Sequence, residues 1–216
     1  MRKRILCYGD SDTWGTIAGS GDRREARWTV VCQQFLGDDY VILEDGLSGR
    51  TTAFDHPANP WMNGLKGLGY ALMSQRPLDA VVLFLGANDV IYTDAEGSVQ
   101  GAELLVRAIL DADAFCGCKR PVFPNGVKLL LISTPLSHPD IAKVRPGTAV
   151  AENAPQLEKY GALYGGLAKK WGIDFLDAKL YAECSPVDCV HMTGESHQRL
   201  GKAVAEKLLT MFKMEK

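Results

Sequence analysis

Short apolar runs alternate with longer segments of helical spacing along the whole chain, and this alternation restricts the possible folds most. The apolar runs fall at residues 4–8, 40–43, 80–85, 128–133 and 174–176. Helical spacing falls at 28–36, 64–75, 99–112, 157–171 and 193–212, with a weak point at Gly165-Gly166 and with Thr193 placed to cap the last helix. Strands alternating with helices build βαβ units, and strands that read as continuous apolar runs suit a parallel sheet covered on both faces. The expectation is an α/β fold, an open doubly wound sheet of five strands, as one domain over residues 1–216. Residues 134–155, with four prolines, are expected to form an ordered loop over the functional site.

Composition narrows the function. A hydrophobic share of 46% with 23% charged residues suits a packed domain and argues against disorder. A net charge of -2 gives no electrostatic reason to expect nucleic acid or an anionic membrane as partner. No apolar stretch approaches the roughly 20 residues of a membrane span. The run after Met1-Arg2-Lys3-Arg4 stops at Gly9-Asp10, short of the about 7–15 apolar residues of a secretory signal. The expectation is a cytoplasmic chain with its six cysteines reduced. Cys7 and Cys32 fall within apolar patterns and read as small core residues. Cys116, Cys118, Cys184 and Cys189 lack the spacing of a zinc site, so no metal is expected there.

In open parallel sheets, functional residues gather in the loops at the carboxyl ends of the strands. The first run is followed by Gly9-Asp10-Ser11, which places a serine at the rim with a main-chain N–H free to face a developing oxyanion. The second leads to Gly49, where main chain can approach a substrate closely. The third leads to Gly86-Ala87-Asn88-Asp89, where Asn88 offers an amide donor and Asp89 can brace neighbouring loops. Just before the last helix stand Asp188 and His191, a carboxylate and the base it would orient. Taken singly, each block also reads as an ordinary turn or helix cap.

Taken together and in this order, the four blocks resemble the SGNH (GDSL-like) hydrolase superfamily across essentially the whole chain. The stretches 8–15, 27–28, 44–52 and 63–64 are similar to its bacterial arylesterase/acyltransferase branch. The resemblance implies a three-layer α/β/α sandwich on a flavodoxin-like five-stranded parallel sheet. It implies a serine esterase for small-molecule, short-acyl esters of aryl or sugar alcohols, with acyl transfer to alcohols as a further outcome. Ser11, Asp188 and His191 would be the triad; the Ser11 and Gly49 N–H groups and the Asn88 amide would hold the oxyanion. Asp10, Asp12, Trp14 and Asp89 would support the site or line its pocket. No cofactor or metal is implied, and a homo-oligomer is.

Two departures border that pocket. Asp12 stands where relatives often have Leu or Asn, a second carboxyl beside Asp10 that could repel acidic substrates or raise a neighbour's pKa. Residues 16–26 form a shorter segment, with Thr16 where an aromatic residue is common. Two other readings compete: a phosphate binder, disfavoured by the missing glycine-rich phosphate motifs, and a metallohydrolase using His56, His138, His191 and His197, disfavoured by their spacing. His197 is expected to support the site, and Trp61 either to line the pocket or to pack.

Overall fold

In the computed structural model, which describes residues 2–116 and 120–213 and all their side chains except those of residues 115 and 116, the apolar runs form one parallel sheet. Its strands are β1 (Lys3–Gly9), β2 (Tyr40–Gly46), β3 (Ala80–Phe84), β4 (Lys128–Ser133) and β5 (Asp174–Asp177), in the order β2-β1-β3-β4-β5. Around it pack α1 (Ser11–Trp14), α2 (Trp28–Leu36), α3 (Gly64–Gln75), α4 (Ala95–Leu110), α5 (Ala112–Cys116), α6 (Ile141–Val144), α7 (Ala149–Asn153), α8 (Tyr160–Trp171) and α9 (Gly194–Lys213).

Alternation along the strands builds two cores. Ile5 and Cys7 point to one face, packed with Trp28 and Cys32 of α2 and Leu200 and Val204 of α9. Leu6 and Tyr8 point to the other, with Leu68 of α3, Leu105 of α4 and Tyr164 of α8. Each fully buried aliphatic side chain of this kind contributes about 1.5–3 kcal/mol. The result is the expected three-layer α/β/α sandwich. Cys7 and Cys32 are core residues.

Several boundaries differ from the sequence expectation. Strand β2 runs on through Glu44-Asp45-Gly46 because β1 offers a pairing partner at each position, out to Gly9 opposite Gly46. Helix α4 starts four residues earlier than its apolar spacing suggests, because the Asp94 carboxylate caps it at 2.8 Å from the Gly97 N–H. Residues 157–159 belong to a 3₁₀ turn that precedes α8. Helix α8 passes through Gly165-Gly166 unbroken; Gly165 lies against the Phe175 ring of β5, where a side chain would crowd it. Thr193 caps α9, its Oγ1 accepting the Ser196 N–H at 3.1 Å. The segment 134–155 holds α6 and α7, each barely one turn long and too short to show a periodicity. Among the described residues no helix is long and apolar enough to cross a membrane.

Strand β1 has β2 on one side and β3 on the other, so the chain reverses its direction of winding there. The loops leaving β1, β2 and β3 open on a common crevice at the carboxyl ends of the strands.

Candidate active site

The turn after β1 is compressed. A Cβ on Gly9 would collide with the Thr13 side chain and lie 2.8 Å from the Phe84 carbonyl, so only glycine fits between the strand ends. Asp10 then caps α1, its Oδ1 accepting the Asp12 N–H at 3.0 Å. Ser11 is thereby fixed as the first helical residue. Its own N–H has no hydrogen-bond partner among the described residues.

The loop before α9 is equally constrained. Cys189 adopts φ 65, a conformation rare for a side-chain-bearing residue. The N–H groups of Val190 and His191 both reach Asp188 Oδ1 at 3.1 Å. Asp188 Oδ2 is left for the His191 ring, 2.6 Å from Nδ1. Burial pushes the Asp188 carboxyl up, but hydrogen bonds from the His191 ring and from these N–H groups outweigh it and hold the pKa below the usual range. The other ring nitrogen, His191 Nε2, lies 3.0 Å from Ser11 Oγ.

Opposite this pair stand the loops after β2 and β3. Gly49, at φ 81, has an N–H without a partner among the described residues. Asn88 donates one amide hydrogen to the Arg50 carbonyl at 3.0 Å, which fixes the amide plane and leaves its second hydrogen for a ligand. Ser11, Gly49, Asn88 and His191 all line one cavity of about 490 Å³, whose walls include Trp14, Thr16 and Gly21.

Two buried groups hold the loops in place. The Arg50 guanidinium donates to the Gly9 carbonyl at 2.9 Å, the Asp45 carbonyl at 2.6 Å and Asp45 Oδ1 at 2.7 Å, and covers the Tyr8 ring at 4.0 Å. It clamps the ends of β1 and β2 together. Asp89, fully buried, accepts the Thr52 N–H at 2.8 Å, the Thr52 hydroxyl at 2.6 Å and the Ser98 hydroxyl at 2.8 Å. Burial raises its pKa to about 6, against the lowering effect of those donors.

The site residues expected from sequence therefore divide. Asp12 and Trp14 line the cavity, as do Thr16 and Gly21 of the short segment. Asp10 and Asp89 lie behind it as braces. Burial pushes the carboxyls of both Asp10 and Asp12 up, each further raised by a nearby carboxylate. His197 is fully buried; its Nδ1 accepts the Trp28 N–H at 3.2 Å at the start of α2, and burial lowers its pKa to about 3. His56 and His138 each cap a local turn, through the N–H groups of Ala58 and Asp140. Trp61 is 61% exposed and stands outside the cavity lining. Cys184 and Cys189 are buried free thiols; Cys118 and the side chain of Cys116 lie outside the described residues. Among the described residues no three His, Cys, Asp or Glu side chains gather in a way that could hold a metal ion. The sequence reading missed the clamp by Arg50 and also Arg145, a further wall of the cavity, because both act on main-chain carbonyls.

The chain matches the model of the GDSL-like lipase/acylhydrolase family over residues 7–199. Among solved structures it is similar to an M. smegmatis aryl esterase, at 32% identity over 97% of this chain and 99% of that one, with a TM-score of 0.84. It is also similar to a carbohydrate acetylesterase from Sinorhizobium meliloti, at 31% identity over 97% and 100%, with a TM-score of 0.87. Among curated proteins compared by sequence, none matches. With a family match over most of its length and homologous structures above 30% identity, the chain is a member of the GDSL-like lipase/acylhydrolase family.

Proposed function

We propose that this protein is a serine esterase that hydrolyses short-chain, acetyl-type esters of aryl or sugar alcohols. The observation that carries the reading is the relay from Ser11 Oγ to His191 Nε2 at 3.0 Å and from His191 Nδ1 to Asp188 at 2.6 Å, facing unpaired donors across one cavity. The two similar structures are those of an aryl esterase and a carbohydrate acetylesterase, which supports the substrate class.

In this mechanism Ser11 Oγ attacks the ester carbonyl while His191 Nε2 takes its proton. Asp188 fixes the His191 tautomer and stabilises the imidazolium. The N–H groups of Ser11 and Gly49 and the free amide hydrogen of Asn88 hold the oxyanion. Collapse breaks the carbonyl–alkoxy bond, and His191 returns the proton to the departing alcohol. Water then attacks the acyl-enzyme with His191 again as base, releasing the acid and the Ser11 hydroxyl. An alcohol in place of water yields a new ester, so acyl transfer follows wherever the cavity excludes water.

The chain acts as one domain over residues 1–216, a reading supported by alignments that span nearly all of it and of the similar structures. The resemblance alone supports a homo-oligomer that needs no cofactor. The decisive test is labelling by a fluorophosphonate together with turnover of p-nitrophenyl acetate. Wild type is expected to label at Ser11, and Ser11→Ala to fold normally, escape labelling and lose turnover. A Ser11→Ala protein with the wild-type rate would overturn the assignment.

A further inference from the structure

Arg145 lies between α6 and α7 and is the only Lys or Arg among the described residues lining the cavity that holds Ser11 and His191. Its backbone is fixed on both sides: its N–H donates to the Ile141 carbonyl at 2.8 Å, and its carbonyl accepts the Thr148 hydroxyl at 2.8 Å. Its side chain is aimed by Nε, which donates to the Asp188 carbonyl at 2.7 Å. The remaining guanidinium N–H groups have no partner among the described residues, and no carboxylate there pairs with them. Other arginines close to the strand ends are paired: Arg50 with Asp45, and Arg27 with Glu44. A half-buried, pre-oriented guanidinium with free N–H groups facing a cavity is a fork for a planar anion.

The contact with Asp188, which orients His191, also places Arg145 on the His191 side of Ser11. In ester hydrolysis the imidazole protonates the departing alkoxide, so the alcohol portion lies on its side. We propose that Arg145 selects esters whose alcohol portion carries a carboxylate. This rests on the esterase reading and deepens it. Asp12, the one carboxyl among the described residues of the cavity lining, is engaged by the Met192 N–H and makes no pair with Arg145.

The test compares two acetates of nearly equal size, 4-acetoxybenzoate and its neutral amide 4-acetoxybenzamide. Wild type is expected to favour the anion in kcat/KM by about tenfold or more, as suits a charge-assisted hydrogen bond in a partly screened cavity. Arg145→Gln is expected to bring that ratio down to near one, and Arg145→Lys to retain part of it. Reading the ratio within each protein removes any general loss from the disturbed Asp188 contact. If Arg145→Gln fails to fold, wild type alone decides: added salt should lower kcat/KM for the benzoate and spare the benzamide. Equal rates for the two esters in wild type, or a preference that survives in Arg145→Gln, would overturn the proposal while leaving the esterase reading intact. Failure to cleave either ester, with no fluorophosphonate labelling, would instead overturn the esterase reading.

Discussion

The Asp12 carboxylate accepts the backbone N–H of Met192 at 3.1 Å, joining the turn that bears Ser11 to the residue after His191 across 180 positions of sequence. The bond holds the two halves of the relay in register. It also places a carboxyl in a buried position where burial and the neighbouring Asp10 raise its pKa. Asp12→Asn keeps the accepting oxygen and removes the charge, whereas Asp12→Ala leaves the Met192 N–H unpaired. The alanine variant should be less stable than the asparagine variant by about 1–3 kcal/mol and roughly tenfold slower in kcat. A raised folded-state pKa means that the native protein holds this proton more tightly than the unfolded chain. The resulting stability is present at low pH and is lost as pH rises above the unfolded carboxyl value of about 3.9. Asp12→Asn should therefore gain on wild type as pH rises from 4 towards 8. Urea melts at pH 5 and pH 8 would show this, and a difference independent of pH would refute it.

The Asn88 side chain makes one hydrogen bond among the described residues, to the Arg50 carbonyl, and its second amide hydrogen is the one proposed to meet the oxyanion. Asn88→Ala should lower kcat by about 10²–10³ with a much smaller change in KM, because the donor acts on charge that develops in the transition state. Stability should fall by no more than about 1 kcal/mol, since only one bond to a main-chain carbonyl is lost. Steady-state kinetics with p-nitrophenyl acetate separate the two parameters. A loss confined to KM would remove Asn88 from the oxyanion site.

How much of this was legible in the sequence follows from which contacts a pattern can encode. Apolar period reports burial, so the strands and the two-faced core could be read from residues such as Ile5 to Tyr8. The parts of the site were legible only as an ordered set, because Ser11, Gly49, Asn88 and His191 are each unremarkable in a turn. What stayed hidden were bonds to main chain. Arg50 acts on the carbonyls of Gly9 and Asp45, and Arg145 on that of Asp188, and carbonyls carry no residue-specific signal. The start of α4 was missed because Gly97 weakens the helical pattern while Asp94 caps it from outside.

Asp89 carries three hydrogen bonds from Thr52 and Ser98 without touching the cavity. Asp89→Ala would strand those donors in a buried setting and should destabilise the fold by about 3 kcal/mol at neutral pH. The pKa of about 6 sets the pH response. Between the unfolded value of about 3.9 and that raised value, the native state binds the proton that the unfolded chain has lost, so wild-type stability declines as pH rises. Removing the carboxyl should make the decline between pH 4 and pH 6 shallower. Thermal or urea unfolding across that range tests both points, and a variant with the same slope as wild type would show that Asp89 does not titrate there.

Asp188→Asn isolates the role of the carboxylate, because most of its surroundings survive the change. The Asn carbonyl oxygen can still accept the N–H groups that Asp188 Oδ1 now holds, and the main-chain carbonyl still accepts Arg145 Nε. The altered group is the one facing His191 Nδ1: an NH₂ there donates where Oδ2 accepted. The imidazole must then place its hydrogen on Nε2, the nitrogen 3.0 Å from Ser11 Oγ, and cannot take the serine proton. The expected result is a fall in kcat of about 10³–10⁴ with the fold unchanged by circular dichroism. Labelling by a fluorophosphonate should slow in parallel, because it needs the same proton removal. Full-rate labelling in this variant would mean that another group activates Ser11 and that the relay through His191 is not the route the proton takes.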